Sequence, residues 1–77
     1  MLYKVMARVE AITPPQNGEV QFQWVCVHMD QARGTAEALA LRAAERGFRM
    51  DGDQVSTFYP QHRIALVEVM PMDLEVT

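Results

Sequence analysis

The chain carries one helical pattern, and the apolar stripe of that helix is mostly alanine. Between Asp30 and Gly47, the residues Ala36, Leu39, Ala40 and Ala43 recur at three- and four-residue spacing, with Ala32 one turn earlier. A stripe of this kind lets a helix lie close to a sheet but gives it little side-chain area to bury. Thr35 after Gly34, or Asp30 a turn earlier, is the expected N-cap. Arg42 and Arg46 suit the negative end of the helix dipole, and Gly47 suits the position that ends the helix.

Strand patterns flank this helix. From Leu2 to Ile12, Tyr3, Val5, Ala7, Val9 and Ala11 share one face, and Lys4, Arg8 and Glu10 share the other with Met6. Period two over this length predicts a half-buried strand. Thr13-Pro14-Pro15-Gln16-Asn17-Gly18 stops it, because proline has no amide donor and Asn-Gly accepts the conformations of a reversal. Glu19 to Met29 predicts its antiparallel partner. One face of that strand holds Phe22, Trp24, Cys26 and His28; the other holds Gln21, Gln23, Val25, Val27 and Met29 and turns from polar to apolar halfway. After the helix, Asp51-Gly52-Asp53 predicts a turn. Gln54–Tyr59 and Ile64–Met70 predict two strands joined at Pro60-Gln61-His62-Arg63, with one long strand bulged at Pro60 as the alternative. Pro71 is expected to end the ladder.

The expected fold is α+β in the order β-β-α-β-β, an antiparallel sheet with a single helix packed across one face. Residues 1–71 are read as one domain and 72–77 as a C-terminal tail. One helix, about 10 Å wide, cannot cover four strands spaced about 4.8 Å apart. The second face keeps a surplus of apolar side chains, which predicts a homodimer through sheet faces or edges. Met6, Val25, Val27, Met29 and Leu66 are the expected interface residues. Methionines at 6, 29, 50, 70 and 72 suit an adaptable partner surface.

Size points the same way. A chain of 77 residues sits where a single core needs help from disulfides, a metal or association. Cys26 is the only cysteine and there are two histidines, too few for an internal disulfide or a four-ligand zinc site. Association is the remaining route. An unpaired thiol, an N-terminus without a signal-peptide layout and no membrane-length apolar run lead to a cytoplasmic expectation with no membrane contact. A net charge of −3 and a pI near 5.2 make nucleic acid an unlikely general partner.

Candidate chemistry is sparse. Cys26, His28 and Asp30 alternate on one strand, but same-face neighbours stand about 6.6 Å apart, and a shared metal would need long side chains or distortion. The ordinary reading makes Cys26 a small core hydrophobe and His28 a half-buried residue with one hydrogen bond. Asp51, Asp53 and Asp73 lack the spacing of a calcium loop. No catalytic residue, metal or cofactor is therefore expected. Phe58-Tyr59-Pro60-Gln61-His62-Arg63-Ile64 is the most distinctive stretch. Over about ten residues it resembles the last hairpin of Sm-like RNA-binding proteins. That family places its helix before five strands, whereas two are expected to follow the helix here, so the likeness stays local. By their own chemistry an exposed Tyr59, His62 and Arg63 could stack on a base or bind an anion, the plain alternative being a hairpin turn with solvated polar residues; together with His28 they are the candidate ligand-binding residues.

Three functions follow as expectations. The first is a non-enzymatic binding or regulatory module, homo-oligomeric, with a possible protein partner. The second is a small enzyme or ligand-binding protein with a pocket at a subunit interface. The third is a nucleic-acid-binding accessory protein using Arg33, Arg42, Arg46, Arg49 and Arg63, which requires those arginines to gather despite the interspersed Glu37 and Glu45.

Overall fold

The computed structural model of the chain describes residues 1–11, 18–52 and 54–72. The expected reversal at 13–17, Asp53, and residues 73–77 of the tail with Asp73 lie outside the described residues. The elements are β1 (Leu2–Glu10), β2 (Phe22–Asp30), α1 (Arg33–Arg46), β3 (Phe48–Asp51), β4 (Ser56–Tyr59), a 3-10 turn at Gln61–Arg63, and β5 (Ile64–Met72). The fold is α+β, with a single helix over an antiparallel sheet of order β2-β1-β5.

β1 is the central strand. It pairs antiparallel with β2 on one edge and with β5 on the other. Its alternation does what the pattern predicts: Val5, Ala7 and Val9 are wholly buried toward the helix. Burying each valine contributes about 1.5–3 kcal/mol. Against them lie Ala36 and Ala43 of the helix stripe, both buried, which let α1 settle close to the sheet.

The helix begins at Arg33, two residues before the expected cap Thr35. The N-cap position falls on Ala32, which has no capping side chain, and the Asp30 carboxylate Oδ1 accepts the Ala32 amide just before the helix at 2.8 Å. The first intrahelical bond follows, from the Ala36 amide to the Ala32 carbonyl at 3.1 Å.

The chain after the helix departs from the expected hairpin. Gln54–Tyr59 and Ile64–Met70 are indeed separate strands, but they do not pair with each other. β4 pairs with β3, a strand not expected from the sequence, in the register Phe48↔Tyr59 to Asp51↔Ser56. β5 instead joins the large sheet beside β1. The 3-10 turn makes the transfer, closed by the Arg63 amide on the Pro60 carbonyl at 2.9 Å. Pro71 does not end the ladder; it pairs opposite Tyr3, a place open to proline because β5 is an edge strand.

The β3–β4 ribbon completes the cover on the helix side. Phe48 and Tyr59 are buried against Ala7, Val9 and Ala43, with ring centroids 5.3 Å apart and tilted by 32°. Such a pair adds about 0.5–1.5 kcal/mol beyond its area. The turn into this ribbon depends on Gly47, whose φ of 80° and ψ of 179° are essentially confined to glycine. A Cβ there would overlap the Tyr59 carbonyl oxygen and approach the Phe58 ring to 3.0 Å and Pro60 Cα to 3.1 Å.

Gly47→Ala is therefore expected to destabilise the fold by at least about 2 kcal/mol in chemical denaturation, since strain and overlap add. Gly34→Ala, in the helix with nothing within 4 Å of its Cβ position, is expected to stabilise by about 0.5–1 kcal/mol.

Candidate functional site

The side of the sheet away from the helix carries the candidate site. Strand register arranges its side chains in rows across three strands. Trp24, Arg8 and Leu66 form one row; Cys26, Met6 and Glu68 form the next; Met29, Lys4 and Met70 form the third. Leu2 and Met72 extend the face at one end, and Phe22 with Glu10 at the other. Among the described residues no element packs across this face. Phe22, Trp24, Met29 and Leu66 stay 44–48% exposed, and the Arg8 guanidinium lies 5.1 Å over the Phe22 ring.

Two bulges decide which residues belong there. Val5 faces His28 and Met6 faces Cys26, so Val27 is an extra residue in β2. Arg8 faces Leu66 and Val9 faces Ile64, so Ala65 is an extra residue in β5. Each bulge shifts the strand's phase by one residue. Of the expected interface residues, Met6, Met29 and Leu66 are on the open face. Val25 and Val27 are not; they pack with Ile64 and Val67 against the helix-side core. The expected faces of β2 are thus corrected, and Phe22, Trp24 and Cys26 join the open face in their place.

The expected ligand-binding residues do not converge. Tyr59 is buried, and its hydroxyl accepts a bond from Gln23 Nε2 at 3.3 Å. His28 lies five residues along β2 from Gln23, about 16 Å away, where Nε2 stands 3.2 Å from Asp30 Oδ2. His62 and Arg63 are exposed on the 3-10 turn. The hairpin that carried the Sm-like resemblance is absent, since β4 and β5 belong to different sheets.

The other candidate clusters also separate. Cys26 is on the open face while His28 and Asp30 lie on the helix side, and among the described residues no three His, Cys, Asp or Glu side chains gather to hold a metal. Arg33 is paired with Glu37 at 2.9 Å, and Arg42 and Arg46 share a shallow depression with Glu45, so the helix surface carries mixed charge.

A second concave feature is a cleft of about 310 Å3 between the start of α1 and the β1–β5 pair, lined by Met1, Tyr3, Arg33, Glu37, Val69 and Pro71. Sequence periodicity did not point to it, because its walls come from three elements distant in the chain. Its volume is at the lower end of small-molecule sites.

Comparison with family models, with curated proteins and with solved structures finds no match. No helix among the described residues is long and apolar enough to cross a membrane.

The Asp30 carboxyl titrates below its ordinary value, held ionised first by the Ala32 amide and then by His28. A lowered folded-state value stabilises the fold above the ordinary carboxylate value of 3.8, and that contribution disappears as the pH falls through the folded value. Wild type is therefore expected to exceed Asp30→Ala in thermal stability at pH 7, with the gap narrowing on acidification below about pH 4.

Proposed function

We propose that the protein is a non-enzymatic binding module that associates with itself through the open sheet face. The observation that carries this reading is an imbalance of burial. Among the described residues the buried core is small, made of three alanines with Val5, Val9, Phe48 and Tyr59, while Trp24, Phe22, Met29 and Leu66 stay about half in water on one surface. Together these four leave roughly 400 Å2 exposed, the size of the largest apolar patch on a typical monomer, which is often functional. Covering it would supply the apolar burial that a 77-residue chain lacks alone. A cytoplasmic location accompanies this reading, because a single unpaired thiol on an association surface persists best in a reducing compartment.

The test is light scattering on size-exclusion fractions across a concentration series. Wild type is expected at twice the chain mass. The exposed-site double variant Trp24→Ser/Met29→Ser is expected to dissociate at least tenfold more readily while keeping its circular dichroism. A wild-type chain that stays monomeric at hundreds of micromolar rejects the proposal.

The cleft beside α1 favours a second reading, a site for a small ligand with an apolar body and a carboxylate. Val69, Pro71 and the Tyr3 ring would take the body, and Arg33 would exchange Glu37 for the ligand's carboxylate. Titration with benzoate and phenylacetate is expected to shift the amide signals of Tyr3, Arg33 and Val69, and Val69→Trp is expected to abolish those shifts. Unperturbed spectra at millimolar ligand reject this second reading.

A further inference from the structure

We infer that the occupant of the open face is a second copy of this chain, crossed over the first at roughly a right angle, with Arg8 of each copy against Glu68 of the partner subunit. The inference rests on the proposed self-association and adds its geometry. The first argument is charge. The face carries two cations, Lys4 and Arg8, and two anions, Glu10 and Glu68, so it is formally neutral on a chain of net charge −3. A neutral face of interspersed charges suits a copy of itself better than a polyanion or a strongly charged protein.

The second argument is position. Along β1 the open-face order is Lys4, Met6, Arg8, spaced about 6.6 Å. Across the sheet at Met6 the order is Cys26, Met6, Glu68, spaced about 4.8 Å. A two-fold axis over Met6 can run along the strands, across them or diagonally. Along the strands it sets Arg8 over Arg8 and Lys4 over Lys4. Across them it sets Arg8 over Lys4 and Glu68 over Glu68. Both bring like charges together. A diagonal axis exchanges the two directions, giving the near-perpendicular crossing that packed sheets also use.

Of the two diagonals, the one bisecting the Arg8 and Glu68 directions places Arg8 on the partner's Glu68 twice. It stacks Leu66, Met6 and Met29 on their own copies along the axis and sets Trp24 on the partner's Met70. Guanidinium and carboxylate can then meet by two parallel hydrogen bonds, and sulfur meets an aromatic ring. The other diagonal pairs Lys4 with Glu68 and leaves Arg8 over Cys26; the first leaves Lys4 there instead, whose flexible ammonium reaches solvent while the planar guanidinium keeps the two-bond pairing. The crossing covers the three central rows and leaves Phe22 beyond the partner's sheet edge, so it buries roughly 500 Å2 per copy, the size of a small, reversible interface.

Charge exchange tests this arrangement by sedimentation equilibrium, with circular dichroism confirming that each variant folds. Arg8→Glu and Glu68→Arg are each expected to weaken self-association at least tenfold, and their equimolar mixture is expected to recover a heterodimer. Glu68→Gln, which preserves shape, is expected to weaken association in the same direction. If wild type dimerises but the mixture stays monomeric, or if Lys4→Glu rather than Arg8→Glu rescues Glu68→Arg, the crossed arrangement is overturned while self-association stands. A monomeric wild type removes self-association itself. Salt-sensitive binding of a single-stranded oligonucleotide by a monomer, lost in Trp24→Ala, would reassign the face to base stacking and overturn the inference.

Discussion

Everything else in this molecule hangs on β1 being hydrogen-bonded along both edges. Among the described residues it is the only strand of the large sheet with two partners, and its helix-side residues Val5, Ala7 and Val9 are the best-buried positions of the sheet. An unbroken alternation is what allows this. Each phase shift falls on an outer strand, at Val27 in β2 and Ala65 in β5, so the central strand presents one continuous apolar row to the helix. A bulge at an edge costs fewer ladder bonds than one in the middle.

Among the described residues only the helix side of the sheet is covered, and it is covered by two means. Alanine at 36 and 43 lets the helix approach closely, but a close, thin helix leaves the far end of the sheet bare. The aromatic pair of Phe48 and Tyr59 fills that end, and Gly47 lets the chain leave the helix directly into the ribbon that carries it. The opposite side has no such device among the described residues. There Trp24, Phe22, Met29 and Leu66 frame a row of alternating Lys4, Met6 and Arg8, a mixture suited to reversible contact rather than to a sealed core.

Much of the architecture was legible in the chain itself, and the misreadings have one origin. The helix, the two long strands at its N-terminal side and the α+β class follow from local periodicity, which depends only on neighbouring residues. Strict alternation carries Val25, Val27 and Met29 to one side and so predicts Val25 and Val27 on the open face. The bulge at Val27 breaks that alternation, and nothing in Cys26-Val27-His28 announces it, since the extra residue is defined by the partner strand. Tyr59 and His62 are neighbours in a distinctive stretch, yet one is a core aromatic and the other faces solvent. Their separation comes from β4 pairing back to β3, with Phe48 as the ring that receives Tyr59. The cleft beside α1 had no local signature at all.

By itself, then, the sequence determined the element types, a core built around the alternation of β1, and a helix too slight to complete the cover. Those properties reside in side-chain period, alanine content and the breaking power of glycine and proline, all of them local. Only the tertiary structure decided that β4 and β5 part into separate sheets, that Val25 faces inward while Trp24 faces outward, and that Arg8 and Glu68 share one surface. Each is a matter of register between strands far apart in the chain, and a shift of one residue exchanges the two faces of a strand.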